Sequence, residues 1–195
     1  MAGIRCFVAI ELPDQARVAL AALQGDLKSA APPQTVRWTR PESVHLTLQF
    51  LGDVPPGQID AVADALRDGC RGKTGFTLDL QGIGVFPNPR RPRIVWVGVS
   101  EPTGALAALH RAVGRALSPL GFPPEDRPFQ PHLTIGRAAR HATGRDLAEL
   151  GDEIVKSGID LIGQVVVDHI SLMKSELRPT GGVYTPQTIV PLKAG

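Results

Sequence analysis

No stretch of this chain approaches the roughly 18 consecutive apolar residues that a membrane-spanning helix requires. The apolar run near its start, Cys6 to Ile10, is interrupted by Glu11 and is too short for the core of a secretory signal. An excess of one charge is also missing. The 21 basic and 19 acidic residues leave a formal net charge of +2, so no whole-molecule field draws the protein onto long nucleic acid or an anionic membrane. A polyanion has to be bound locally. Cysteine is scarce: Cys6 and Cys70 stand too far apart for a disulfide framework or a metal-ligand cluster, and neither has a neighbouring histidine to activate it. These absences point to a cytoplasmic protein, expected as a monomer, with reduced thiols, no membrane contact, no metal and no cofactor.

What is plentiful is turn-forming. The chain has 21 glycines and 18 prolines in 195 residues, which suits many short elements, while 43% hydrophobic content is enough for a sizeable core. Ile4 to Leu12 reads as a strand, and Pro13-Asp14 opens a helix carrying Val18, Leu20, Leu23 and Leu27 at helical spacing. Extended chain from Val36 to Leu51 follows, then a helix from Pro55 to about Gly69 with Ile59, Val62, Ala63 and Leu66 on one face. Phe76 to Val85 and Arg93 to Val99 read as a hairpin joined by the proline-rich turn 87–92. A third helix is expected from Pro102 to about Leu117. A proline-rich connection, 119–131, then delivers HLTIGR, a fourth helix runs near Asp146 to Ser157, and strand-like stretches follow at Gln164 to Leu177 and Thr188 to Leu192. Helices interleaved with hairpins predict an α+β fold rather than a doubly wound parallel sheet.

The pattern repeats. VHLTLQF (44–50) and PHLTIGR (131–137) share His-Leu-Thr-aliphatic, each after a proline-containing extended segment and ahead of a helix. Two pseudo-symmetric lobes within a single domain over 1–195 are the expectation, each an antiparallel-rich sheet with helices on its outer face, flanking a central cleft. Strand alternation puts His45 and Thr47 on one face, with Leu46 and Leu48 on the other, and treats His132 and Thr134 likewise against Leu133 and Ile135. Two facing imidazoles suit a reaction that needs a general base and a general acid near neutral pH, and the threonine hydroxyls are neutral donors for phosphoryl oxygens. Pseudo-symmetry alone leaves open which histidine is the acid.

At these residues the sequence resembles the two-histidine (2H) phosphoesterase superfamily, in particular its RNA 2′,3′-cyclic phosphodiesterase branch, also called the 2′-5′ RNA ligase family. RCFVAIELP, VRWTRPESVHLTLQFLGDV, GVFPNPRRPRIVWVGV, FPPEDRPFQPHLTIGRA and LMKSEL carry the likeness over nearly the whole chain. The resemblance implies metal-independent hydrolysis of 2′,3′-cyclic phosphate ends of RNA or short oligonucleotides to 2′-phosphates, with ATP-independent 2′-5′ ligation as the reverse. It also implies His45 as proton donor to the leaving 3′ oxygen and His132 as acceptor from water. One departure is Gln49, where the family often has Lys or Arg; alternation places it beside His45 and Thr47.

Two acid-free segments bring local positive charge: Gln81–Ser100 with Arg90, Arg91 and Arg93, and Phe129–Arg145 with Arg137, Arg140 and Arg145. Arg137, Arg127, Arg90 and Arg93 are the candidate substrate contacts, and Arg137 reaches the motif face only if a bulge or strand end interrupts alternation. His110, His141 and His169 lack a partner threonine and read as structural, and Trp38, Trp96, Phe7, Phe50 and Phe129 as packing aromatics. The competing readings are a non-catalytic RNA-end binding module and a metal-dependent phosphodiesterase.

Overall fold

The computed structural model describes residues 3–178 and 181–194. Among these, nine strands and four helices follow one another along the chain: β1 (Ile4–Glu11), α1 (Asp14–Ala30), β2 (Val36–Trp38), β3 (His45–Val54), α2 (Ile59–Cys70), β4 (Phe76–Phe86), β5 (Ile94–Ser100), α3 (Ala105–Leu117), β6 (His132–Ala138), α4 (Gly144–Lys156), β7 (Leu161–Val167), β8 (His169–Arg178) and β9 (Gly181–Pro191). The helices begin where local chemistry permits. Thr143 and Asp146 form a reciprocal capping box that starts α4 at Gly144, two residues before the expected position. Residues from Pro102 stay outside α3 because Gly104 adopts φ 83, while the Glu101 carboxylate accepts hydrogen bonds from the Leu106 and Thr103 amides. Val18, expected on the apolar face of α1, is 70% exposed. Ala16, Leu20, Leu23, Gln24 and Leu27 form the buried stripe instead.

All nine strands belong to one sheet, in the order β7-β4-β5-β6-β3-β1-β8-β9, with β2 on the free edge of β6 and every named pairing antiparallel. The order is symmetric about the β3–β6 seam: β5 answers β1, β4 answers β8, and β7 answers β9. The seam is narrow, a single registered pair, Leu46 with Leu133. The chain halves exchange strands across it. β4 leaves the wing of β1 and β3 to pair with β5, and β8 returns from the second half to pair with β1, bringing β9 on its outer edge.

Gln164–Leu177 is therefore two strands that part at Asp168. β7 pairs with β4 on one wing and β8 with β1 on the other, with the Asp168 carbonyl accepting from the Leu192 amide at 2.7 Å. The last strand is also longer than expected, because it pairs along the whole of β8.

One face of both wings is covered by helices. Leu46, Leu48, Val95, Val97, Leu133 and Ile135 join residues buried by all four helices in one continuous apolar cluster. Burial of this kind contributes about 25 cal/mol per Å2 of apolar surface and is the main force holding the wings together. The opposite, open face carries only a small cluster, Phe7, Ala9 and Met173 with Tyr184 against it. Among the described residues, no helix is long and apolar enough to cross a membrane.

Candidate active site

Leu46 and Leu133 point into the helix-covered core, so their neighbours His45, Thr47, His132 and Thr134 point to the open face. Continuing the antiparallel register sets His45 opposite Thr134 and Thr47 opposite His132. A local two-fold axis through the leucine pair exchanges the two His-x-Thr sets. In a regular ladder, diagonal neighbours such as the two histidines stand about 7–8 Å apart at Cα, room for one tetrahedral group between the side chains. All four side chains are half-buried, and among the described residues neither threonine hydroxyl has a protein hydrogen-bond partner.

Each imidazole is held the same way. His45 Nδ1 lies 2.9 Å from the Ser43 carbonyl and His132 Nδ1 lies 2.7 Å from the Gln130 carbonyl. A carbonyl oxygen can only accept, so each Nδ1 keeps its hydrogen in both charge states, and Nε2 is the nitrogen that gains or loses a proton. The rings also have aromatic support. Phe7 stacks on His45 at 4.6 Å and Tyr184 meets it edge-on at 4.9 Å, while Phe86 meets His132 edge-on at 5.1 Å.

Both motif strands carry a bulge at the residue after the threonine. The β1–β3 register skips Leu48, and the β5–β6 register skips Ile135. The second bulge is pinned: the Ile135 carbonyl accepts from the Thr39 amide and from the side-chain amide of buried Gln24. Alternation reverses after each bulge, which corrects the expectation for Gln49. It is 4% exposed on the helix side, donating to the Phe122 and Pro123 carbonyls at 2.9 and 3.1 Å, and so tethers the segment that leads to His132. The residue brought to the open face instead is Phe50, 60% exposed. The same reversal on β6 brings Arg137 to the open face, meeting the condition its role required.

This duplicated geometry coincides with a duplicated match. A family model described as LigT-like phosphoesterase fits the chain twice, over residues 10–96 and 97–184, each match beginning inside the strand that flanks a motif strand, β1 or β5. The chain belongs to the LigT-like phosphoesterase family. It is 37% identical over 186 residues to a protein of Methanothermobacter thermautotrophicus named RNA 2′,3′-cyclic phosphodiesterase, covering 95% of this chain and 97% of the relative. A crystal structure from Thermus thermophilus superposes with a TM-score of 0.78 at 26% identity, covering 97% of this chain and 98% of that one. Escherichia coli LigT crystallised with 3′-AMP gives 0.74 at 27% identity, with 97% and 98% covered.

Within the LigT-like frame the two motif histidines have different neighbours. Burial pushes His45 below the ordinary histidine value of 6.5, and the Arg137 guanidinium adds to this; the Ser43 carbonyl and the Glu11 carboxylate act in the opposite direction. Glu11 pairs with His45 across the β1–β3 ladder, whereas the matching partner of His132 is Gly98. Glu11 also accepts a hydrogen bond from Ser171 at 2.6 Å.

The remaining candidates lie further out. Arg127 is exposed in the loop before β6. Arg90 is exposed in a turn whose Pro89 packs against Gly151 of α4. Arg93 has the strand parity of Val95, not of Trp96 and Ile94, so it points away from the open face. Tyr184 and Phe7 are the site neighbours the sequence did not reveal as such. Cys6 and Cys70 are free and buried, and burial raises both thiols, Cys70 to about 11, leaving neither reactive. Among the described residues, no three of His, Cys, Asp and Glu gather as a metal-binding set.

Proposed function

We propose that this protein hydrolyses the 2′,3′-cyclic phosphate at RNA 3′ ends to a 2′-phosphate, with His45 and His132 as its acid–base pair and no metal in the reaction. The observation that carries this reading is the two-fold arrangement of two imidazoles, each with Nε2 free to exchange protons, and two unpartnered hydroxyls about the Leu46–Leu133 pair. Its relative in Methanothermobacter thermautotrophicus, matched over 97% of that protein, bears the name of that activity.

In the proposed reaction the cyclic phosphate sits between Thr47 and Thr134, whose hydroxyls donate to its non-bridging oxygens as negative charge builds. His132 Nε2 takes a proton from the attacking water, the new P–O bond forms as the P–O3′ bond breaks, and His45 Nε2–H delivers a proton to the 3′ oxygen. The water's oxygen and one of its protons stay on the 2′-phosphate. With the 5′ hydroxyl of a second RNA attacking in place of water, the same groups acting in the same direction open the cyclic phosphate into a 2′-5′ phosphodiester without ATP, the P–O3′ bond breaking as before. Glu11 supports His45 as the acid, because a carboxylate beside an imidazole favours its cation and His132 has only Gly98 in that place. Burial opposes that cation in the empty site; the bound diester's own negative charge adds to Glu11 and restores it.

Arg137 supports the phosphate, and the exposed ring of Phe50 offers the terminal base a stacking platform, an interaction typically contributing about 1–3 kcal/mol. The enzyme acts as one bilobal unit, a monomer, in the cytoplasm, where its buried free thiols find a reducing environment. The test is a short RNA ending in a 2′,3′-cyclic phosphate, incubated with and without chelator. A 2′-phosphate product formed at equal rates in both supports the proposal. A 3′-phosphate product, loss of activity to chelator, or binding without turnover overturns it.

A further inference from the structure

β2 is only three residues long, yet it brings a second arginine to the site. Its register on β6 sets Val36 opposite Ala138, Arg37 opposite Arg137 and Trp38 opposite Gly136. A Cβ on Gly136 would meet the Val36 and Trp38 side chains, and Lys28 of α1 lies 6.0 Å above the Trp38 ring, so those residues face the helices. Arg37, between them, faces the other way, onto the open face with Arg137. Both guanidiniums are exposed, and among the described residues neither has a carboxylate within 4.0 Å or a side-chain hydrogen bond. Like charges directly opposite on a ladder destabilise it. Two facing arginines without an acid make a place for an anion.

That anion is not the scissile phosphate. Arg137 stands three residues beyond Thr134, about 10 Å along a strand, a gap its long side chain spans towards the scissile phosphate, whereas Arg37 lies a further strand spacing of about 4.8 Å outward. Arg137 is close enough to bear on His45, whereas Arg37 stands one strand further out, on β2. An RNA 3′ end carries its next phosphate on the 5′ side of the terminal nucleotide, and a guanidinium is shaped for two of its oxygens. We propose that Arg37, facing Arg137 across β2 and β6, forms a second phosphate site that holds the 5′ phosphate of the terminal nucleotide. The enzyme thereby distinguishes an RNA end from a free nucleoside cyclic phosphate. The inference rests on the cyclic-phosphate reading above.

The experiment compares adenosine 2′,3′-cyclic phosphate with and without a 5′-phosphate, substrates that differ by that one group, in the wild type, Arg37→Gln and Arg37→Lys. The wild type is expected to favour the 5′-phosphorylated substrate in kcat/KM. Arg37→Gln should cut that preference about tenfold, the low end for a hydrogen bond to a charged group, and Arg37→Lys should keep most of it. The log–log salt dependence for the 5′-phosphorylated substrate should become shallower in Arg37→Gln by about 0.7, the value for one contact to a single-stranded phosphate. Because the readout is a ratio within each variant, partial misfolding cancels. No preference in the wild type, or the same preference in Arg37→Gln, overturns the site while leaving cyclic-phosphate hydrolysis standing. Turnover of neither substrate by the wild type brings down both.

Discussion

The motif strands β3 and β6 each contribute one imidazole–hydroxyl pair to the quartet on the open face. Each has an imidazole tied through Nδ1 to the carbonyl two residues earlier, a free hydroxyl, and a bulge one residue later. Around these fixed points the wings have diverged. His45 has Glu11, Phe7 and Tyr184 against it, while His132 has Gly98 and the edge of Phe86. After the bulge β3 turns a phenyl ring to the open face and β6 a guanidinium. Duplication supplies two imidazole–hydroxyl pairs held in the same way, and divergence leaves an exposed phenyl ring, Phe50, beside one and an exposed guanidinium, Arg137, beside the other.

Removing the shared quartet should have the largest effect. His45→Ala and His132→Ala should each lower kcat on an RNA cyclic phosphate by about 10²- to 10⁴-fold with circular dichroism unchanged, and the double variant should lose less than the product of the two. Thr47→Val and Thr134→Val come next, at about 10²-fold in kcat for loss of one charge-stabilising donor, and equal losses would confirm the two-fold symmetry.

The diverged positions should separate kinetically. Phe50→Ala should raise KM by about tenfold, within the range for one stacked base, whereas Arg137→Gln should also move a pH limb. Losing a positive charge beside His45 favours its protonated form, so its pKa rises and the alkaline limb of kcat/KM shifts to higher pH. In the wild type that limb should fall below 6.5 in kcat/KM, which reports the free enzyme, and higher in kcat, where the bound anion raises it. Coincident limbs would remove His45 from the acid role. The smallest effect is structural: Gln49→Leu should lower stability by about 1–3 kcal/mol in urea unfolding, since it leaves the Phe122 and Pro123 carbonyls without their donor.

Period-two alternation, capping residues and the His-Leu-Thr duplication were enough to read the α+β class, the four helices and the quartet from sequence. They failed where pairing rather than pattern decides. Nothing in VHLTLQF marks Leu48 as the bulged residue, so Gln49 reads as facing the site. The bulge was inferable only from the basic side chain at Arg137 and the repeat that relates the two strands. Asp168 is one polar residue in an extended run, and its role as the point where β7 and β8 part depends on which strands await them on either wing. Tyr184 reaches the site through β9, whose hairpin partner β8 docks on the distant β1, and Arg37 through β2, whose partner β6 is about 100 residues away. No local spacing records that proximity.

The exchange of strands between halves has a consequence for synthesis. β1 pairs with β3 soon after both emerge from the ribosome, but its other edge waits for Ser171–Lys174, near the end of the chain. Until Ser171–Lys174 emerge, the wing that carries His45 therefore exposes an apolar, hydrogen-bond-hungry edge, the kind that recruits other chains. Closing it over so long a loop makes its folding slow. The nascent chain should thus engage holding chaperones until β8 arrives, and a ribosome-stalled chain ending before Ser171 should aggregate while one ending after Pro191 stays soluble.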